Sequence, residues 1–140
     1  MTDNSRYLFR GKRLDNGEWV QGSYVCAELL NGSGFEHFII EVPATGRTID
    51  IDPSTLGQST GLKDKNGTLI FEHDILEYVI NNKSVKFVLK WCNISLSYRA
   101  YDSLDEKYHG ELFSITNAVF GDCLVIGNII DNGMVVNSDG

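Results

Sequence analysis

The Asn-Gly pair occurs four times in this chain, and no long amphipathic helical pattern lies between the pairs. The pair tolerates the positive φ values of a type I′ turn, which connects two antiparallel strands through two residues. It occupies residues 16-17, 31-32, 66-67 and 132-133. We therefore predict several β-hairpins and exclude a helical bundle or a βαβ protein.

The segments between these turns are rich in β-branched and aromatic residues, which favour strands. Residues 75-80 and 83-91 flank an Asn-Asn pair at 81-82 and predict the clearest hairpin of the chain. Further strands are predicted at residues 7-14, 18-25, 37-42 and 47-51. In the first two of these strands, Gly11 and Gly22 indicate bulges or close approaches of the backbone.

Short strands joined by glycine-rich turns favour a compact antiparallel barrel or a barrel-like meander. We therefore predict a mostly β fold with little helix, in which hairpins build small antiparallel barrel-like subdomains, for example of an SH3-like kind. A boundary between subdomains is predicted within residues 43–56.

The charge and the cysteine content limit which partners and which cellular compartment we expect for the chain. Nineteen acidic residues against twelve basic ones give a net charge of −7, so nucleic acid is a disfavoured partner. The cysteines, Cys26, Cys92 and Cys123, are odd in number and widely spaced, which favours free thiols in a reducing cytoplasm. Neither a signal peptide nor an apolar run of the ~18 residues of a membrane helix is found, so we expect no membrane association.

Residues 52-74 are the most individual stretch of the sequence. Asp52 and Pro53 begin a turn, and Gly57 and Gly61 permit backbone conformations that other residues resist. A charged turn and a short apolar run follow, and the segment Glu-His-Asp then leads into the predicted hairpin at 75-91.

This stretch resembles the YopX family of phage and prophage proteins, whose members read DP-x-T-x-G-Q-x-TG-L-x-D-x-NG-x-x-I-[FY]-EGD-I. Residues 9-22 and 125-129 also resemble that family, so the resemblance implies a single YopX-like domain over residues 1–140. His73 stands where the family has glycine, and a positive φ there would cost about 1 kcal/mol. The signature is carried by Asp52, Pro53, Gly57, Gln58, Gly61, Leu62, Asp64, Asn66, Gly67 and Asp74.

The resemblance implies an all-β fold of YopX type, a mobile-element origin, the cytoplasm of the bacterial host and self-association. It implies no established reaction. Recurrent glycines and turns of this kind are typical of residues that maintain a fold rather than of residues that catalyse.

The residues themselves give little support for catalysis. The histidines lie 36 residues apart and no cysteine stands at metal-finger spacing, so we predict no metal and no cofactor. In residues 72-74 a histidine lies between two carboxylates, but neighbours on a strand point to opposite faces, and a tight turn is the better interpretation. Asp50 and Asp52 would share one side of an extended strand, although Asp52 is expected to initiate the turn. We expect no enzyme.

Two binding functions remain. Exposed strand edges and aromatic residues would bury against a second copy or against a host or phage protein, so the leading hypothesis is a non-catalytic, homo-oligomeric β interaction module. The alternative is a nucleic-acid-associated β-barrel protein, since Arg10, Lys12 and Arg13 lie near Trp19 and this composition suits single strands. Alternation along a strand is expected to divide these cations between two faces.

Overall fold

The computed structural model describes residues 5–43, 45–93, 96–101 and 122–132. Helical structure in these residues includes a 3-10 turn at Ser5–Tyr7 and the four-residue helix α1 (Ile129–Asn132). None of the helices in these ranges has the length and apolar character needed to cross a membrane. The prediction of a mostly β fold with little helix is confirmed. The strands are β1 (Phe9–Arg13), β2 (Trp19–Glu28), β3 (Phe35–Glu41), β4 (Thr48–Lys63), β5 (Leu69–Phe71), β6 (Asp74–Ile80), β7 (Lys83–Cys92), β8 (Ser97–Tyr101) and β9 (Leu124–Asn128).

The chain divides into two compact units, Met1–Ser59 and Thr60–Gly140, and the division falls inside β4. The first unit contains β1, β2, β3 and most of β4. The second contains the end of β4 and all later strands. The expectation of one domain with a boundary within residues 43–56 stays a prediction.

In the first unit, β1, β2, β3 and β4 pair in that order, and β1 also pairs with β4. This last pairing partly closes the sheet, which agrees with the predicted barrel-like character. Alternate residues on the inner face form the core of the unit, against which Tyr24 and Leu56 pack. The core residues are Val20, Ile39, Ile49 and Ile51.

Gly11 and Gly22 allow the strands of this unit to approach one another closely. A Cβ atom at Gly22 would overlap the carbonyl oxygen of Ile40, and one at Gly11 would lie 2.8 Å from Cδ1 of Ile51. The predicted close approaches are therefore confirmed at both positions. The β1–β4 ladder also shifts register beside Gly11, as predicted for a bulge.

The turn predicted at Asp52 and Pro53 does not end a strand, because β4 continues through it to Lys63. Asp52 lies opposite Lys12 and Gly57 lies opposite Arg10, so residues 53-56 bulge out opposite a single residue of β1. Within the bulge, Oδ1 of Asp52 accepts hydrogen bonds from the backbone N and Oγ of Ser54, at 3.0 and 2.8 Å. The local turn is thus present, but the expectation of a strand ending at the turn was wrong, since a wide bulge accommodates the proline.

The second unit contains a four-stranded antiparallel sheet in the order β8-β7-β6-β9. Its central hairpin is the one predicted most clearly, with Ile80 opposite Lys83 and positive φ values of 51° at Asn81 and 63° at Asn82. These are the values that a type I′ turn requires. The core of the unit consists of Ile70, Leu76, Phe87, Leu89, Ala100 and Cys123.

Asp64 joins the turn after β4 to strand β9. Its Oδ1 accepts hydrogen bonds from the backbone N of Asn66 and Thr68, at 2.9 and 2.8 Å, and its Oδ2 accepts one from the N of Val125 at 2.9 Å. Burial opposes ionisation of this carboxyl group, but these backbone donors outweigh it and lower the pKa of Asp64 below its ordinary value. A single signature carboxylate therefore fixes both a local turn and a distant strand.

The segment before β6 forms the tight turn that the sequence predicts. His73 has a φ of 76°, its N donates to the carbonyl oxygen of Leu89 at 2.7 Å, and its own carbonyl oxygen accepts from the N of Ile129 at 3.0 Å. The buried carboxylate of Asp74 accepts a hydrogen bond from the N of Phe71 at 2.8 Å. His73 thus adopts a positive φ, in which a non-glycine residue carries strain of the size expected for this position.

Replacing Asp64 should destabilise the protein in a pH-dependent way. We expect Asp64→Asn to lower the free energy of unfolding by about 2–4 kcal/mol at pH 7, because an amide satisfies three N–H donors less well than a carboxylate. The pKa of Asp64 is lowered in the folded state, so its stabilisation is fully present above the ordinary value of 3.8 and is lost as pH falls through the folded value. Urea unfolding between pH 7 and pH 2.5 measures both effects.

The matched control is Asp52→Asn, which changes a half-exposed turn carboxylate and should cost much less. Equal losses for the two variants, or an unchanged slope of stability against pH below pH 5 in Asp64→Asn, would contradict the assigned role of Asp64.

A second prediction concerns the close approach at Gly22. We expect Gly22→Ala to lower the free energy of unfolding by about 3 kcal/mol, because the added methyl group meets the backbone of β3, which no side-chain rotation can relieve. Thermal unfolding of this variant beside Gln21→Ala, an exposed neighbour on β2, measures the difference. A Gly22→Ala variant as stable as Gln21→Ala would show that β2 and β3 are spaced differently.

Candidate functional site

Three of the four residues predicted to bind nucleic acid lie together on one face of the first unit. Lys12 is directly opposite Trp19 in the β1–β2 ladder, and Arg10 lies two residues earlier on β1. Cζ of Arg10 is 4.9 Å from the centre of the Trp19 ring, and Nζ of Lys12 is 5.4 Å from it. Both cations therefore engage the ring, and a stacked base would have to compete with them.

Arg13 does not join this group. It follows Lys12 on the strand, so its side chain begins on the opposite face, as alternation predicts. Its Nε and Nη2 donate to the carboxylate of Asp15 at 2.9 and 2.7 Å and form a bidentate ion pair beside the β1–β2 turn. The nucleic-acid-binding role of these four residues stays a prediction. The structure groups Arg10, Lys12 and Trp19 together and pairs Arg13 separately with Asp15.

The signature residues mostly hold turns and strands. The carboxylates of Asp52, Asp64 and Asp74 each accept backbone N–H groups. Nε2 of Gln58 donates to the carbonyl oxygen of Arg6 at 3.3 Å. Leu62 packs against the core of the second unit, and Gly61 and Gly67 have positive φ. Pro53 and Gly57 belong to the β4 bulge and its closing pair, and Asn66 lies in the turn that Asp64 closes.

Most of the groups considered for acid–base chemistry are held in structural interactions. Nε2 of His73 lies 3.8 Å from Oε2 of Glu72, and the Asp74 carboxylate is bonded to backbone. Asp50 is exposed, whereas Asp52 is bonded to Ser54. Within the described ranges no three His, Cys, Asp or Glu side chains come close enough to hold a metal ion. His109 lies outside these ranges.

An open cleft of about 420 Å³ lies beside the Arg13–Asp15 pair and is lined by residues 13–15 and 47–50. Its lining contains two arginines, Arg13 and Arg47, and two aspartates, Asp15 and Asp50. Because these charges compensate and Arg13 is already bonded to Asp15, the cleft has no net charge that would select an ion.

The most distinctive surface of the first unit is a two-stranded extension, which we call the ribbon and define as residues 23–37. The β1–β2 ladder ends at Gly22, and the β3–β4 ladder begins at Phe38. β2 and β3 continue to pair with each other beyond these limits, from Cys26 opposite His37 to Glu28 opposite Phe35, whereas residues 23–25 of β2 still lie opposite the part of β3 that pairs with β4. An isolated pair of strands is only marginally stable in water, so this surface differs from the closed sheet at its base.

Large apolar side chains of the ribbon are open to solvent. Leu30 is 109% exposed, Phe35 60% and Leu29 39%. The thiol-bearing residue Cys26 is also exposed. The ribbon also contains two carboxylates, Glu28 and Glu36, and one imidazole, His37.

A tyrosine–histidine contact holds the two strands of the ribbon together. Oη of Tyr24 lies 2.6 Å from Nδ1 of His37, and the rings stack with centres 6.0 Å apart at 10°. Phe9 packs at 5.5 Å on Tyr24. Burial, followed by the neighbouring Cys26, raises the pKa of Tyr24, so its hydroxyl stays protonated at neutral pH.

Sequence reasoning missed this contact and the ribbon itself. The sequence did contain a signal for the contact. Counting outward equally from the Asn-Gly pair at 31-32 places His37 opposite Cys26, which is the observed register, and Tyr24 lies two residues from Cys26 on the same face of the strand. No comparable signal indicates where β1 and β4 stop pairing with β2 and β3, and that limit is what exposes the ribbon.

Comparisons with known proteins give the family. A family model described as YopX protein matches residues 8–136. The chain is similar to the crystal structure of protein EF1440 from Enterococcus faecalis, with 26% sequence identity, a TM-score of 0.50, and coverage of 89% of this chain and 94% of that chain. No curated protein matches the chain. The family match extends over nearly the whole sequence and confirms the resemblance seen in its motifs, so the chain belongs to the YopX family.

Proposed function

We propose that this protein is a non-catalytic interaction module of phage or prophage origin that acts in the bacterial cytoplasm and binds protein, including a second copy of itself. The observation that carries the proposal is the ribbon, whose exposed apolar residues and uncovered strand edges project beyond the paired sheet of the first unit. The proposal assigns to the ribbon the role of binding element.

The exposed side chains supply a driving force for association. Burying a Leu or Phe side chain fully contributes about 1.5–3 kcal/mol, so Leu30 and Phe35 together contribute about 3–6 kcal/mol to an interface that covers them. A micromolar complex needs about 8 kcal/mol. The tip of the ribbon therefore supplies a large share of such an interface, and backbone pairing along a strand edge would supply more.

The arrangement of carboxylates also supports a binding role. Asp52, Asp64 and Asp74 are the acidic residues of the signature, and each is bonded to backbone in a turn. Residues used in this way stabilise the fold, and they are not positioned toward the cleft beside Arg13. The family signature therefore accounts for structure, and binding is assigned to a surface outside it.

Self-association through the ribbon predicts a mass above that of one chain. We expect light scattering coupled to size exclusion, at micromolar protein, to give a species heavier than the 15.6 kDa single chain. The double variant Leu30→Ser with Phe35→Ser should shift this species to the single-chain mass, because it removes the apolar side chains while leaving the β2–β3 ladder intact.

The control is Leu14→Ser, which removes a side chain that is 66% exposed in the first unit but lies outside the ribbon. It should keep the mass of the unmodified protein. A single 15.6 kDa species for the unmodified protein, or the same shift in Leu14→Ser, would contradict the proposed role of the ribbon.

The alternative, nucleic-acid binding, is favoured by one observation, the grouping of Arg10 and Lys12 around Trp19. The net charge of −7 acts against it. If the alternative holds, single-stranded DNA or RNA should bind with an affinity that falls steeply between 50 and 200 mM salt, and Trp19→Ala should weaken it by about 1–3 kcal/mol. Fluorescence anisotropy with single- and double-stranded probes measures this, with Lys63→Ala as the exposed control.

A further inference from the structure

We propose that the free edge of β2, residues 23–28, pairs antiparallel with the same edge of a second copy of this chain, around a two-fold axis at Cys26. This inference rests on the proposed function and deepens it, since it names the edge, the partner and the register. The pairing would join two ribbons into one four-stranded sheet in the order β3-β2-β2-β3.

The backbone geometry identifies the groups that are available on this edge. The N of Leu29 donates to the carbonyl oxygen of Gly34, and the N of Val42 donates to that of Gln21. Odd-numbered residues of β2 therefore direct their backbone groups toward β3. Since these directions alternate along a strand, Tyr24, Cys26 and Glu28 direct theirs away from it.

Those outward groups have no ladder partner in the part of the chain that the structure describes. Gly22 is the last residue of β2 opposite β1, where it faces Phe9. The edge beyond it is six residues long, or about 20 Å at the usual rise per residue. This is an ordinary strand length, so the edge is a complete template for one additional strand.

Symmetry restricts how two copies can use this template. In an antiparallel sheet, two residues opposite each other point to the same face. A two-fold axis normal to the sheet keeps each residue on its own face, so opposing residues must be separated by an even number of positions. One residue therefore lies opposite its own copy. An axis at Val25 would pair Gly22 with Glu28, but Gly22 already faces β1. An axis at Cys26 pairs Tyr24 with Glu28 and Cys26 with itself, which uses every outward group and forms about six hydrogen bonds.

Charge favours a second copy at this edge over the other free edge of the ribbon. Two copies repel one another because each has a net charge of −7. On β2 the one charged residue of the edge, Glu28, would face Tyr24 rather than its own copy. The free edge of β3 covers residues 35–37, where an axis at the central Glu36 would place like charges opposite each other.

The same register accounts for the exposed tip of the ribbon. In this register the new ladder ends where Glu28 lies opposite Tyr24, so the turn that carries Leu30 of one copy would leave the ladder next to the start of β1 of the second copy. Gly22 lies opposite Phe9, and Tyr7 nearby in sequence is 54% exposed. Leu30, which is fully exposed in the single chain, would therefore meet aromatic side chains in the pair.

Thiol cross-linking tests the register. A short bis-maleimide should link two unmodified chains through Cys26, because residues opposite each other in such a pair have Cα atoms about 5.5 Å apart. The exposed Cys26 is accessible, whereas burial raises the pKa of the Cys123 thiol to about 11 and keeps it unreactive. We expect Cys26→Ser to abolish the linked dimer and Cys92→Ser to leave it.

A proline variant tests the backbone pairing independently. Glu28→Pro removes an outward N–H and leaves the β2–β3 bonds of the odd-numbered residues in place. We expect it to weaken dimerisation at least about tenfold in sedimentation equilibrium, or about 1.4 kcal/mol, whereas Glu28→Ala should change it by less than about threefold. Far-ultraviolet circular dichroism of both variants establishes that the fold is retained.

The outcomes separate this inference from the proposed function. An oligomer that depends on Leu30 and Phe35 but is neither linked through Cys26 nor weakened by Glu28→Pro supports the ribbon as binding element and overturns the edge pairing. A single chain at every concentration overturns both. Cross-linking at Cys26 together with the loss in Glu28→Pro supports the two-fold pairing of β2.

Discussion

The second unit of this protein depends on one buried carboxylate. Asp64 accepts two hydrogen bonds within its own turn and a third from Val125, 61 residues further along the chain. Removing a carboxylate from water is costly, and backbone N–H groups offset that cost without introducing another charge. The turn before β5 and the edge strand β9 are consequently fixed by the same side chain, and its place in the YopX signature has a structural reason.

The rest of the signature follows the same logic. Asp52 stabilises a bulge that lets β4 pass a proline without ending, and Asp74 closes the turn that contains His73. His73 has the positive φ that glycine adopts without strain, and the hydrogen bonds of its backbone to Leu89 and Ile129 hold it in that conformation. These residues stabilise the fold, so a strong family signature is compatible with a binding surface outside it.

The ribbon differs from these turns because its polar backbone edges and apolar tip residues are exposed to water. Among the described residues, no strand pairs with β2 after Gly22 or with β3 before Phe38 apart from the pairing of β2 with β3 itself, and Tyr24 contacts His37 across one face of the two strands. Apolar side chains at its tip remain in water, where exposed patches mark binding surfaces more often than structural ones. A partner that covers these side chains would remove their apolar surface from water, which favours binding.

The sequence alone determined the hairpins, the close approaches at Gly11 and Gly22, and the family. Asn-Gly and Asn-Asn pairs act through local φ preferences, which do not depend on the remainder of the fold. Tertiary structure decided what depends on distant partners. The turn at Asp52 is a bulge within β4 because β1 pairs with β4 on both sides of it. Asp64 accepts a hydrogen bond from Val125, and the ribbon begins where the β1–β2 and β3–β4 ladders end. Pairing limits of this kind are set by packing between strands far apart in sequence, and no local pattern records them.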